Sequence, residues 1–310
     1  MAKMHGLPFC SIVILNYNGK KYLKDCLAAL RNVDYPKNRM EVILVDNNST
    51  DGSVRYVNRG FPWVKTLKLD DNYGFSKGNN SGLDIAKGSY IIFLNNDTEV
   101  EKEWLKELVN VAQSDKSIGI CGSKIKNFSG NELRNIAGEG YLNMLGIPRF
   151  SSGAKEPKPC FYVSGCSLLI KKSVIRDLGY CFDDRYFLYF EDIDLCWRAR
   201  LNGYKVVYVP TSVVNHKKAM TSAMIGKIVD YYHYRNKIWT FKKNLRTPLM
   251  EIVLPFVAVS TIFMIAYWTY RKRWRYGIEV LKHLFSRIEK SPGLDRVPLK
   301  RQLKLFYSYS

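Results

Sequence analysis

Ser11-Ile-Val-Ile-Leu-Asn16-Tyr-Asn18-Gly19, then Tyr22 to Asn32, then Glu41-Val-Ile-Leu-Val45-Asp46-Asn-Asn-Ser-Thr-Asp51-Gly52, is the stretch on which the fold turns. Both outer pieces are short, continuous, β-branched apolar runs, which suit strands buried on two faces. The segment between them carries Leu23, Cys26, Leu27 and Leu30 at helical spacing. Strand, helix and strand in this order make a βαβ unit, whose crossover favours a parallel sheet.

Working outward, Val64–Leu69 and Tyr90–Leu94 repeat the strand signal, with a helix predicted over Gly78–Ala86 between them. Glu103–Gln113 predicts a further helix leading into a strand at Ile118–Gly122. Past Gly122 the pattern loosens, and Gly146–Pro159 reads as a loop. Strands are expected at Phe161–Ser164, Ser167–Ile170 and Lys205–Val209. In open α/β sheets the ligand lies beyond the carboxyl ends of the parallel strands. Those ends are polar here: Asn16-Tyr-Asn18-Gly19, Asp46 to Gly52, and Asn95-Asn96-Asp97. Turn chemistry explains any one of them, but three on one rim point to a site.

Neither G-x-x-x-x-G-K-[ST] nor G-x-G-x-x-G occurs, which speaks against a P-loop NTPase or a dinucleotide-dependent oxidoreductase. The 46% hydrophobic and 14% aromatic content is that of a globular chain, and the net charge of +20 is uneven: residues 211–310 hold 19 Lys and Arg against 5 Asp and Glu. Seven cysteines without a C-x-x-C pair argue against a disulfide framework or a zinc site and suit a reducing compartment. The apolar run Phe9–Leu15 has no cleavage-site pattern after it, so no signal peptide is expected.

Tyr186-Phe-Leu-Tyr189-Phe-Glu191-Asp192-Ile-Asp194-Leu-Cys-Trp197-Arg198-Ala-Arg200 sets three carboxylates behind an aromatic run. Aromatic cover raises a carboxylate's pKa by desolvation, as general-base chemistry requires. Glu191 and Asp192 open a predicted helix, and Asp194 is spaced to pair with Arg198 one turn on. Asp192 and Asp194 form a literal D-x-D, but positions i and i+2 of a helix do not face one site.

Five ordered segments resemble glycosyltransferase family 2, over about Ser11 to His216: Ser11 to Asn18, Val45 to Gly52, Asn72-Tyr-Gly74-Phe-Ser-Lys-Gly-Asn79-Asn80-Ser-Gly82, Phe93 to Thr98, and Phe187 to Arg200, with His216 following. The wording of the last two is closest to the rhamnosyltransferase-like branch. The resemblance implies a GT-A fold, a Rossmann-like and mostly parallel α/β sheet flanked by helices. It also implies transfer of a sugar from a nucleotide diphosphate sugar, with inversion, to an acceptor hydroxyl. Asn16, Asn18 and Asp46 would then line the nucleotide pocket, and Asn72, Gly74, Asn79, Asn80 and Asn96 would complete the donor site. Asp192 would be the catalytic base, with Glu191 orienting it or the acceptor and Trp197 and Tyr189 stacking on the acceptor sugar. Asp97 and His216 would hold Mg²⁺ or Mn²⁺ on the diphosphate, the histidine nitrogen favouring Mn²⁺. The family's D-x-D is reduced here to Asn95-x-Asp97, one carboxylate instead of two.

The catalytic domain is expected over residues 8–217 and a basic helical segment over 218–310. Residues 252–270 are nineteen without a charge, roughly 28 Å as a helix, against a hydrocarbon core of about 30 Å. Both flanks are basic, so a re-entrant or interfacial helix at the cytoplasmic face of the membrane fits better than a span. Tyr267, Trp268, Tyr270, Trp274 and Tyr276 would form an aromatic belt. The expected partners are therefore a nucleotide sugar, a glycan or polyprenyl-linked acceptor and a membrane surface. Nucleic acid is not expected, because the basic charge adjoins an apolar run instead of aromatics interleaved on a polar surface. Two other readings compete: a polyprenyl-phosphate hexosyltransferase, and a non-catalytic module that binds sugar nucleotides or glycans. Asp192 and Asp97 speak against the second.

Overall fold

The computed structural model describes residues 6–129, 132–142, 147–151, 153–217, 228–270, 274–292, 294–300 and 302. Its strands are β1 (Cys10–Asn16), β2 (Met40–Asp46), β3 (Val64–Lys68), β4 (Tyr90–Asn95), β5 (Thr98–Val100), β6 (Ile118–Ser129), β7 (Glu132–Ala137), β8 (Glu139–Leu142), β9 (Pro148–Ser151), β10 (Lys158–Pro159), β11 (Ser167–Lys171) and β12 (Lys205–His216). The helices are α1 (Lys20–Arg31), α2 (Ser53–Gly60), α3 (Gly74–Asp84), α4 (Trp104–Ser114), α5 (Lys172–Leu178), α6 (Glu191–Leu201), α7 (Ile228–Asn244), α8 (Leu249–Tyr270) and α9 (Trp274–Phe285).

The main sheet runs β10-β12-β6-β11-β4-β1-β2-β3, with β5 added to β12 and β7 to β6. Its β4-β1-β2-β3 half is parallel, as the apolar runs predict. The other half is mixed, because β11 enters antiparallel between β4 and β6. Along β1, Val13 faces one core and Ile12 and Ile14 the other, so both faces are covered and no polar alternation survives. Helix α3 lies close on this sheet through two small residues: a Cβ on Gly78 or Gly82 would sit 2.5 Å from Leu15 or Val13.

Four local expectations change. Within Gly146–Pro159, read as a loop, lie β9 and β10. Helix α3 begins at Gly74, four residues before the predicted start. Phe161–Ser164 contributes only an isolated bridge, because its backbone bonds go to the single residue Gly140 of β8 and no ladder continues from it. Strand β12 runs on to His216 after an irregularity between Val209 and Val213, where Pro210 has no N–H to give to the ladder. That extension pairs His216 with Thr98 of β5 and brings it beside the end of β4.

Helix α7 packs into the same core as the sheet through Ile238, Phe241 and Leu245. Helices α8 and α9 pack on each other and on α7. Val257 and Thr261 of α8 are buried, while Ile252, Phe256, Val259, Phe263, Tyr267 and Tyr270 form an exposed row at steps of three and four residues. Arg271, Lys272 and Arg273, expected to flank this helix, lie outside the described residues, as do the side chains of Trp268 and Trp274.

Candidate active site

A cleft of about 990 Å³ opens along the carboxyl ends of β1, β2 and β4 and the start of α6. Its rim takes Asn18, Lys20, Asp51, Asn72, Gly74, Asn96, Asp97, Tyr189, Glu191, Asp192 and His216, so that all five motif segments and the end of β12 contribute. Sequence spacing could not bring these together. The sheet does, because parallel strands release their loops on one edge.

Asn16 and Asp46 give the cleft no surface. Both are fully buried, and their side chains bond each other: Asn16 Nδ2 donates to Asp46 Oδ1 and to Ser49 Oγ, each at 3.1 Å. Asn16 Oδ1 accepts from Asn96 Nδ2 at 2.7 Å, and Asp46 Oδ2 accepts from the Ser49 N–H at 3.0 Å. The expected contacts to the nucleotide are thus a hydrogen-bonded floor that sets the loop above. Asn18 sits on that floor at φ 49°, and its Oδ1 accepts from the Thr50 N–H at 2.8 Å.

Asn79 and Asn80 likewise turn away from the cleft. Asn79 is buried and donates to Phe75 O in its own helix. Asn80 donates to Phe182 O and to Asp184, tying α3 to the loop ahead of α6. A residue that sequence reasoning passed over does more: Asn47, beneath the cleft wall, donates to Asn72 Oδ1 and Gly74 O and accepts from the Tyr73 N–H. Its position in the strand-end run Asp46-Asn47-Asn48 was the available signal. Gly74 has φ 75°, and a Cβ there would meet Phe187 O at 2.4 Å, so the two loops approach only because it is glycine.

Trp197 is fully buried, edge-on to Phe161 and Phe241, so it is a core residue and offers no face to a sugar. Its place on the inner side of α6 explains this, since that helix is covered nearly all round.

At the head of α6, Asp192 Oδ2 accepts from the Gly165 N–H at 2.9 Å and Oδ1 from the Ile193 N–H at 2.8 Å. Burial raises its pKa, and these two N–H groups only partly oppose that. Glu191 is buried, and its Oε2 has no hydrogen-bond partner among the described residues. Burial first, then the neighbouring Asp192, pushes its pKa well up. Asp194 points the other way into a fully buried hub: Arg198 Nε at 2.8 Å, Lys243 Nζ at 2.9 Å and Asn244 Nδ2 at 2.9 Å. The pair with Arg198 forms as its spacing predicts, but in the core and not on a helix surface. Burial works to raise the Asp194 pKa, and Lys243 and Arg198 outweigh it to hold the carboxyl below the usual range.

Across the cleft, His216 Nε2 lies 3.1 Å from Asp97 Oδ1. The other ring nitrogen, Nδ1, is buried without a hydrogen-bond partner among the described residues. No cluster of three or more His, Cys, Asp and Glu occurs among the described residues. One carboxylate and one imidazole with an uncommitted nitrogen fit a hard cation whose remaining positions are filled by substrate oxygens, but not a closed protein cage.

The family model for "Glycosyl transferase family 2" matches residues 11–179, more than half of the chain. The chain belongs to this family. It is 28% identical over 63% of its length to the low-salt glycan biosynthesis hexosyltransferase Agl10 of Haloferax volcanii, and spans 63% of that relative, less than two thirds. It is 27% identical over 67% of its length to the N-acetylglucosaminyl-diphospho-decaprenol L-rhamnosyltransferase of Mycobacterium tuberculosis, covering 76% of it. Among solved structures, GalNAc-T7 with UDP, GalNAc and Mn²⁺ superposes with a TM-score of 0.69 at 16% identity, over 98% of this chain and 58% of the other. The GT-A type of fold expected from the sequence is therefore that of this chain.

Proposed function

We propose that the protein is an inverting glycosyltransferase of glycan biosynthesis, moving a sugar from a nucleotide diphosphate sugar to a hydroxyl of a lipid-linked or growing glycan. The observation that carries this reading is the placement of Asp192: a carboxylate of raised proton affinity, held by two backbone N–H groups, on the same cleft as Asp97 and His216. A base so placed takes the proton from the acceptor hydroxyl as its oxygen attacks the anomeric carbon, while the bond to the diphosphate breaks and the diphosphate leaves with the electron pair. Glu191, buried beside it, would orient this base or the acceptor. Asp97 and His216 would hold Mg²⁺ or Mn²⁺, which in this role neutralises charge growing on the diphosphate. Lys20, Lys21 and Lys24 give the same cleft a cationic side suited to a diphosphate. The mycobacterial relative supports an acceptor on a polyprenyl diphosphate and a rhamnose donor such as dTDP-rhamnose.

The same proposal places the protein at the cytoplasmic face of the membrane, with residues 8–217 as the catalytic domain. Leu249–Tyr267 is long and apolar enough to cross a membrane, by length and composition. The exposed row on α8, with the opposite side against α7 and α9, supports a helix lying in the interface.

A screen of nucleotide sugars against purified protein with Mn²⁺ or Mg²⁺ tests the activity. Release of nucleoside diphosphate from one donor, stimulated by a polyprenyl-linked acceptor, is expected. No turnover with any donor, alongside nucleotide sugar binding, would leave the non-catalytic module as the reading.

A further inference from the structure

The turn that delivers Asp192 to the cleft is held in an improbable shape. Tyr189 and Phe190, immediately before α6, have φ 70° and φ 72°. Residues with side chains rarely adopt that conformation, and it persists only where the surroundings over-determine it. Tracing the carbonyls shows what does so. Phe187 O accepts from the Phe75 N–H at 2.7 Å, and Phe190 O from the Asp194 N–H inside α6 at 2.8 Å. The two between them, Leu188 O and Tyr189 O, both accept from the side-chain amide of Asn236, each at 2.8 Å. Asn236 lies on α7, is fully buried, and has its own Oδ1 oriented by Arg235 Nε at 2.9 Å.

We infer that Asn236 is a positioning residue for the reaction: its amide fixes the turn Phe187–Phe190 and so the direction in which Asp192 enters the cleft. It touches no substrate. Phe187, Leu188 and Tyr189 line the cleft themselves, so the same amide also shapes the wall beside the base. With Asn236 removed, two buried carbonyls lose their partner, and the turn can relax toward ordinary dihedrals by rotating the first turn of α6. The hydrogen bonds of Asn236 reach none of the β1, β2 and β4 loops that carry Asn18, Asp51 and Asn96. This rests on the assignment of Asp192 as base.

The test uses the full chain with whichever donor the screen identifies. Asn236→Ala should lower kcat by about tenfold or more while donor KM stays within about threefold and nucleotide-binding stoichiometry is unchanged. Asn236→Leu keeps the side chain's volume without an N–H to donate and should behave alike, which covers the event that the alanine variant does not fold. A double-mutant cycle separates positioning from general stability. Glycine adopts φ 70° freely, so in a Tyr189→Gly background the Asn236→Ala loss should shrink to about threefold or less. The inference is overturned if kcat in the Asn236 variants stays within about threefold of the parent, if its loss matches lost nucleotide-binding stoichiometry, or if the loss is equal in both backgrounds. Asp192→Asn is measured beside them. Activity there overturns the base assignment, whereas its loss with active Asn236 variants overturns the positioning role alone.

Discussion

The two sides of helix α6 carry the same chemical group in opposite surroundings. Asp192 faces the cleft with no cation paired to it among the described residues, and burial raises its pKa. Asp194, two residues on, faces the core and is held ionised by Lys243 and Arg198 against the cost of burial. A helix turns about 200° over two residues, so one strip of sequence supplies both a base for chemistry and an anchor for structure. The contrast shows that an acidic motif has no single meaning, because each carboxylate is defined by what the fold places opposite it.

The largest effect should come from the cleft side. Asp192→Asn is expected to lower transfer by about 10²- to 10⁴-fold with donor affinity within a few-fold, since a base acts in the transition state. Steady-state kinetics with parallel nucleotide-sugar titrations check this. A variant keeping a tenth of the parental rate would make the cleft side ordinary helix surface and end the contrast.

Asp194→Asn should act on folding instead. It leaves Arg198 buried beside a neutral neighbour while Lys243 keeps Asp183, and losing one member of a buried ionic group costs about 3–5 kcal/mol. Chemical denaturation measures it. The folded-state pKa of Asp194 lies below its unfolded value, so its contribution is present above the unfolded pKa and is lost as pH falls through the folded one. The gap between parent and variant should therefore narrow on acidification. A variant as stable as the parent at neutral pH would show that the hub is not what holds α6 to α7.

Asp97 and His216 test whether the cleft needs a partner cation that the core hub supplies for itself. Chelation should stop transfer. Asp97→Ala should weaken donor binding by at least about tenfold, roughly 1.4 kcal/mol, and more than His216→Ala does, because only the carboxylate offsets the ion's charge. Isothermal titration of donor in the presence of Mn²⁺ ranks the two variants. Full activity in excess chelator would remove the metal from the reaction.

The smallest expected change sharpens the contrast from the other direction. Glu191 has a raised pKa, so its charge works against folding above the unfolded value of about 4.3. Glu191→Gln should be more stable than the parent at neutral pH by roughly 1 kcal/mol, a Tm rise of about 2–4 °C, with the gain gone near pH 4. Thermal scans at the two pH values decide it. A variant that loses stability at pH 7 would mean that the Glu191 carboxylate has a favourable role in the fold.

Much was legible in advance. The runs Ser11–Leu15, Glu41–Val45 and Tyr90–Leu94 became neighbouring parallel strands with their polar ends on one cleft. A strand covered on both faces must be apolar at every position, and that is a property a sequence displays directly. The helix beginning at Glu191 was equally plain, because its charged start and apolar continuation lie in one short window.

The sequence by itself determined the parallel half of the sheet, the family and most of the residues from which the cleft is made. Tertiary structure decided which of them face it. Asn16 and Asp46 are as polar as Asn18 and Asn96, yet the first pair spend their hydrogen bonds on each other beneath the surface. Trp197 went to the core, and Asp194 met Lys243 and Asn244 across about fifty residues of chain. Asn236, on a helix whose sequence around it is mostly aromatic and basic, came to hold the turn at the active site. The reason is physical. Periodicity reports how each residue is buried relative to its neighbours in the chain, whereas the partner that satisfies a buried polar group is chosen only when distant segments close on one another.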